Sequence, residues 1–261
     1  MSSLYQPFDW YQTPLYYDII FDEGTQADGA FLQAVHERYV TSGGRRMLEP
    51  ACGSGRLVAE MVERGFTVAG FDISAPMLRF ARQRLDKRGL KAELKEASMD
   101  AFAFKGKFDM AHCLVSTFKY LLDEAAAQAH LHCVAEALKR GGVYVLGLHL
   151  SEYDVTSCSR ERWVAQRDGT KVVCNIQSWP AQRRTRTEQV RSRLVVSEGG
   201  ATRRYESNWT FRTYDLEQLR RLIRSAPAFE HVVTYDFTHD IDAPQAFDGQ
   251  QLDNVLILRK R

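Results

Sequence analysis

The sequence of 261 residues contains no apolar run approaching the ~20 residues that span a bilayer, and its first residues form no basic, apolar, cleavable leader. Membrane insertion and export are therefore not expected, and a cytoplasmic protein is. The five cysteines, Cys52, Cys113, Cys133, Cys158 and Cys174, are odd in number, scattered and nowhere spaced Cys-x-x-Cys. That spacing suggests no disulfide framework or cysteine zinc site, so reduced thiols and no metal are expected. A dominant charge is also missing: 35 Lys and Arg face 33 Asp and Glu, leaving +2, too little for an obligatory nucleic-acid or anionic-membrane partner. Internal repeats, low-complexity stretches and evident linkers are absent. What remains, 44% hydrophobic residues, suits one sizeable α/β domain with an elaboration, or two small domains.

The most informative stretch is Met47-Leu48-Glu49-Pro50-Ala51-Cys52-Gly53-Ser54-Gly55-Arg56 followed by Phe66 to Asp72. It reads as a short buried strand, a glycine turn, a helix over Arg56 to Arg64 capped by Gly65, and a second strand that delivers Asp72 to its C-terminal end. Gly53 and Gly55 let a ligand lie against the backbone with no Cβ in the way. A carboxylate at that strand end is placed to hold a ribose diol. Two cofactor classes use this layout. A dinucleotide fingerprint asks for a third small residue, where this chain has Val58.

Glu49 precedes Gly53 by four residues, and the pattern Glu-x-x-x-Gly-x-Gly resembles the first motif of the class I S-adenosylmethionine-dependent methyltransferases. Asp72-Ile73-Ser74-Ala75-Pro76-Met77-Leu78 is similar to that family's second-strand exit. The resemblance implies S-adenosylmethionine as cofactor. Glu49, Ala51, Gly53, Ser54, Gly55 and Arg56 would meet its methionyl end, Asp72 and Ile73 its ribose, and Met77, Ser98, Met99, Leu114 and Val115 its adenine. Where the family usually carries an acidic adenine contact, this chain has Ser98, and either Ser98 or Asp100 could take the role. The segment Tyr5 to Phe21, broken by Pro14, resembles the tyrosine-bearing N-terminal lids of small-molecule methyltransferases. Tyr11 and Tyr16 are its cofactor candidates and Tyr17 an acceptor-side one.

Along the rest of the chain, helices are expected over 27–40, from Pro76 to Arg88, over 124–139 and over 215–224. Strands are expected over 92–97, 108–115, 143–148, 229–237 and 253–259, with Gly141-Gly142 as the turn before 143–148. His112 lies inside the strand over 108–115 and reads as a satisfied core residue. Leu114 to Leu121 resembles the family's segment lining the cofactor and acceptor sites, which makes Phe118 a substrate-binding candidate. His149 falls at a strand's C-terminal end and is the candidate general base, because its unperturbed pKa lies near neutrality.

From Arg160 the period changes to two. Strands over 171–179, 185–197 and 201–213, with a hairpin turn at Glu198-Gly199-Gly200, would form a small antiparallel sheet. Seven arginines between Arg183 and Arg204 alternate with acidic residues, which favours a solvated face over an RNA-binding one. Trp163, Trp179 and Trp209 either pack this sheet or wall an acceptor pocket, and Trp209 is the substrate-binding candidate.

The expected fold is α/β: a seven-stranded Rossmann-like methyltransferase sheet with helices on both faces, plus a small antiparallel β insertion in the C-terminal half. Its parts would be a lid and helix (1–40), a cofactor core (41–150), the insertion over the active site (151–213), and a last helix with closing strands (214–261). The expected reaction is methyl transfer from S-adenosylmethionine to a small-molecule acceptor, releasing S-adenosylhomocysteine. The alternatives are an NAD(P)-dependent oxidoreductase, which Asp72 permits, and a non-catalytic cofactor- or RNA-binding protein. Acceptor atom and oligomeric state stay open.

Overall fold

The computed structural model describes residues 4–261. The N-terminal part contains β1 (Gln6–Pro7), α1 (Pro14–Phe21) and α2 (Thr25–Tyr39). There follow β2 (Arg46–Pro50), α3 (Arg56–Glu63), β3 (Thr67–Asp72), α4 (Ala75–Lys87), β4 (Glu93–Glu96), β5 (Phe108–Cys113), α5 (Glu124–Ala137) and β6 (Leu138–His149). A run of four strands comes next: β7 (Ser159–Arg167), β8 (Thr170–Ser178), β9 (Thr187–Glu198) and β10 (Ala201–Arg212). The chain closes with α6 (Leu216–Arg224), β11 (Phe229–Tyr235) and β12 (Asp253–Lys260).

Seven strands form one mixed sheet in the order β11-β12-β6-β5-β2-β3-β4. β12 runs antiparallel to both its neighbours, and the strands from β6 to β4 are parallel. Strand order reverses between β2 and β5, which opens a ligand crevice beyond their carboxyl ends. Phe31, Leu32 and Val35 of α2, Leu57, Val58 and Met61 of α3, and Leu78 and Leu85 of α4 cover one face. Leu131 and Val134 of α5 and Leu219 and Leu222 of α6 cover the other. Both faces are thus apolar, so β5 is buried along its whole length, as strands of a two-sided layer are.

Several boundaries differ from expectation, each for a local reason. The Gly141-Gly142 pair lies inside β6, which begins at Leu138. The register jumps from Phe108 opposite Leu138 to Met110 opposite Val143, and Gly141 takes φ +76°, so the pair forms a bulge where a loop was expected. The helix expected to reach Lys139 stops at Ala137, because Leu138 is already extended. The strand expected to reach Val115 stops at Cys113, and Val115 and Ser116 turn left-handed at φ 57° and 60°.

The small sheet is larger than expected. Five strands lie in the order β1-β10-β9-β8-β7, with Ser159–Arg167 as a full strand and the N-terminal Gln6–Pro7 joining parallel to β10. Its inner face carries Val172, Cys174, Leu194 and Val196, packed against Trp10, Tyr16 and Ile19. The aromatic N-terminal segment is therefore the filling between the two sheets. Pro14 opens α1 at its first turn, where its missing N–H costs nothing. A buried charge cluster fixes α1: Asp18 pairs with Arg84 of α4 and, at 2.6 Å, with Arg167 of β7. Asp22, one turn on, meets the same two arginines at 3.4 and 3.2 Å.

Candidate active site

β2 leaves the sheet through a backbone that is left-handed at Ala51, Gly53 and Gly55 (φ 51°, 53° and 71°). The state costs a residue with a Cβ about 1–2 kcal/mol, so Ala51 is held there by its surroundings. The two glycines serve different ends. A Cβ on Gly55 would sit 2.7 Å from Ala81 Cβ, so Gly55 lets α4 pack close. A Cβ on Gly53 would meet only the Tyr17 ring, at 3.7 Å, so Gly53 opens the backbone beneath that ring.

Asp72, at the end of β3, ties this turn down. Its Oδ2 accepts the Gly53 N–H and its Oδ1 the Ser74 N–H, each at 2.8 Å. A carboxylate has about four acceptor positions, so acceptor capacity remains for a ligand hydroxyl. Burial raises its pKa, and the backbone N–H groups oppose the rise. Beside it, Ile73 is 73% exposed, an apolar surface for a flat ring. Met77, expected against such a ring, is fully buried and offers a ligand no surface in this conformation. The Ser98 hydroxyl donates to Asp100 Oδ1, so the two alternatives for the adenine contact are one joined polar unit. The Met99 carbonyl faces Nδ1 of buried His130 at 2.9 Å, and Leu114 is buried while Val115 is half exposed.

Glu49 is buried behind the turn, its Oε2 without a partner and 3.9 Å from His112 Nε2. Burial pushes the Glu49 carboxyl up to about 8 against the pull of Arg56, and pushes His112 down to about 3. At neutral pH this is a protonated acid beside a neutral imidazole, and the 3.9 Å approach is no ion pair. Both His112 ring nitrogens lack partners, which departs from the satisfied core histidine expected. Arg56 is held by Asp28 at 2.7 Å and by Thr25 at 3.2 Å. Asp28 also takes His239 at 2.9 Å, a contact that brings in the loop after β11. The Ser54 hydroxyl is buried and unpartnered too.

Of the three candidate tyrosines, Tyr11 and Tyr17 converge here and Tyr16 does not. Tyr17, the acceptor-side candidate, lies over Gly53 on the turn. Burial lifts its hydroxyl to about 12. Tyr11 Oη bonds Tyr120 Oη at 2.6 Å, and the Tyr11 carbonyl accepts Ser74 Oγ at 3.1 Å. Adjacent helical residues point about 100° apart, so Tyr16 faces the other way and stacks on Phe8 and Tyr205 at 6.3 and 6.1 Å. Phe118 is likewise corrected: it is fully buried against His130 and Tyr214 and reaches no cleft. Trp209 is on the inner face of the small sheet, 6.0 Å from Phe211, which in turn is 4.7 Å from Tyr120. Its indole N–H is buried and unpartnered.

A cavity of about 480 Å³ opens between the sheets, bordered by Phe21, Asp28, Arg56, Val115, Trp163 and Ala165. His149 stands at the end of β6, half exposed, with Nδ1 2.6 Å from Asp253 Oδ1 and its N–H donated to Ser116 Oγ at 3.1 Å. Sequence reasoning missed Asp28, His239 and Asp253, whereas Trp163, named there as a packing or pocket-wall residue, does border the cavity. The first two are ordinary surface-type residues until the fold buries them, and Asp253 is 104 positions from its partner. Tyr120 stood within a motif-like stretch and could have been chosen. Among the described residues no helix is long and apolar enough to cross a membrane.

The fit of an adenosyl cofactor rests on unpartnered groups. The remaining acceptor capacity of Asp72, the orphan Oε2 of Glu49 and the orphan hydroxyl of Ser54 lie along the glycine turn that Tyr17 covers. They match a ligand bearing a diol at one end and a charged amino-acid group at the other.

Comparison with known proteins agrees with this geometry. Residues 47–142 match a methyltransferase domain family. A putative methyltransferase of Geobacillus sp. (strain WCH70) is 24% identical over 227 residues, 86% of this chain and 91% of that protein. A ubiquinone biosynthesis O-methyltransferase of Aromatoleum aromaticum is 33% identical over 101 residues, 38% of this chain and 42% of its own. Among solved structures, CalS10 from Micromonospora echinaspora, an amino pentose methyltransferase with S-adenosylmethionine bound, superposes with a TM-score of 0.72. It covers 98% of both chains at 19% identity.

Proposed function

We propose that the chain is a class I S-adenosylmethionine-dependent methyltransferase, as the methyltransferase-domain match over residues 47–142 supports, and that it methylates a small-molecule acceptor by in-line displacement, releasing S-adenosylhomocysteine. The observation that carries this reading is the Asp72 carboxylate, bonded to the Gly53 and Ser74 N–H groups and still able to accept a diol. When bound, S-adenosylmethionine supplies a methyl group on a positively charged sulfur, so the protein has to align, enclose and exclude water.

Asp72 would hold the ribose hydroxyls, with Ile73 along the adjoining ring and the joined Ser98–Asp100 pair toward its edge. Glu49, Ser54 and Arg56 would take the amino-acid end. Tyr17 and Tyr11 close the glycine turn, and their π faces suit a cation. The acceptor would enter the cavity bordered by Val115, Phe21 and Trp163, with the Trp209 N–H as an orienting donor. His149, at the carboxyl end of the sheet, would take the proton that the acceptor loses.

Calorimetric titration with S-adenosylmethionine, S-adenosylhomocysteine and NADH is the first test. One-site binding of the two sulfur compounds without NADH is expected, and NADH binding alone would return the chain to the oxidoreductase reading. An acceptor screen then starts from amino sugars and phenols, because the similar proteins include an amino pentose methyltransferase and a ubiquinone biosynthesis O-methyltransferase. Turnover would be read as S-adenosylhomocysteine release. His149→Ala should lower transfer with cofactor affinity unchanged, and an unchanged transfer rate would make His149 structural.

A further inference from the structure

We infer that Asp253 is a positioning residue for His149, fixing the imidazole with its hydrogen on Nδ1 and leaving Nε2 as the one free ring nitrogen at the crevice end of β6. The inference rests on the reading of His149 as the base. Asp253 and His149 are the directly opposed last pair of the β6–β12 ladder, where opposed side chains share a face about 5 Å apart. Both backbones are anchored. The His149 N–H goes to Ser116 Oγ at 3.1 Å, the next N–H, of Leu150, goes to Leu252 O at 2.7 Å, and Asp253 O accepts from Gln245 Nε2 at 2.8 Å. The side chains then meet at 2.6 Å.

An ionised carboxylate only accepts hydrogen bonds, so in the neutral ring the hydrogen must sit on Nδ1 and the lone pair on Nε2. That is the tautomer a base needs at the outward nitrogen, and a histidine's tautomer follows the bond its other nitrogen makes. Ser116, which anchors the His149 backbone, follows Val115 directly, and Val115 borders the large cavity. An exposed pair of this kind adds at most about 1 kcal/mol to stability. Stability therefore cannot report the role, whereas the tautomer can.

The test uses long-range ¹H–¹⁵N spectra of the ¹⁵N-labelled full-length protein, at a pH well above the ordinary histidine range. His149 is one of seven histidines and is assigned by its disappearance in His149→Ala. In the wild type, Nε2 should show the shift of an unprotonated nitrogen and Nδ1 that of a protonated one. Asp253→Ala should lose that pattern and Asp253→Glu should recover it, with thermal melts confirming that both variants are folded. A wild-type ring protonated on Nε2, or an unchanged pattern in Asp253→Ala, would overturn the inference. With the first acceptor from the screen, Asp253→Ala should lower kcat about tenfold, the scale of a lost orienting partner, and leave S-adenosylmethionine affinity unchanged. Full kcat in Asp253→Ala beside a dead His149→Ala would also overturn it. Failure of the base reading shows separately, as unchanged transfer in His149→Ala.

Discussion

The two sheets of this protein organise their functional groups in opposite ways. In the seven-stranded sheet, Glu49, Gly53, Ser54 and Asp72 lie within 24 residues of sequence, at the ends of β2 and β3. Gly53 is needed there for its left-handed backbone and Asp72 for the carboxylate that ties the turn down. In the five-stranded sheet, β9 and the first half of β8 alternate buried with more accessible positions, and any apolar residue of suitable size would serve on the inner face. Its functional surface arises only where α1, Val115 and the edge strand β7 come together. A site made by a turn is written locally, and one made between layers is not.

The largest effect should come from the cluster that joins the two regions. Asp18 is fully buried and serves both Arg84 and Arg167, so Asp18→Ala leaves the two arginines only their longer contacts to Asp22. A loss of about 3 kcal/mol, the low end for a broken buried pair, is expected by denaturant titration. A loss below ~1 kcal/mol would mean that the layers hold together by apolar contact alone.

Within the cofactor half, Asp72→Ala should weaken S-adenosylmethionine binding about 100-fold while the protein stays folded. Two hydrogen bonds to a charged group are lost, at roughly 1.5–3 kcal/mol each before compensation. Calorimetry giving wild-type affinity would remove Asp72 from the ribose role and dissolve the contrast with the other sheet.

Glu49 sharpens the contrast through pH. Its folded pKa, about 8, lies above that of an unfolded glutamic acid, so the native state binds the extra proton and loses stability as pH rises toward 8. Between pH 6 and 8 the wild type should lose about 2 kcal/mol from this group, whereas Glu49→Gln should show a flatter profile. Identical profiles in the two proteins would show that Glu49 is ionised in the free enzyme.

The smallest effect is expected in the acceptor half. Trp209→Phe removes one unpartnered N–H and should raise the acceptor KM several-fold, roughly 1 kcal/mol, without changing cofactor affinity. A change in S-adenosylmethionine affinity instead would place Trp209 against the cofactor and blur the division between the sheets.

The strands at 46–50 and 67–72 and the helix starting at Arg56 were legible because glycine, an apolar period and a terminal carboxylate act over a few residues. The bulge at Gly141-Gly142 was misread as a turn, since left-handed glycine serves both and only the pairing with β5 decides. Tyr16 and Tyr17 could not be told apart on composition, because which face of α1 meets the glycine turn depends on Arg84 and Arg167 gripping Asp18. Phe118 was read as a pocket wall because its stretch looked functional, although a buried histidine and tyrosine wait behind it.

By itself the sequence determined the α/β class, the order of elements, the glycine turn and the carboxylate at the end of β3, since these depend on backbone freedom and periodicity within single elements. The tertiary structure decided that Tyr17 covers Gly53, that Glu49 lies beside His112, that Asp28 links Arg56 to His239, and that Asp253 meets His149. Those contacts join residues from 28 to 211 positions apart. They exist only once burial of both sheet faces and the inner layer has fixed where each strand end lies.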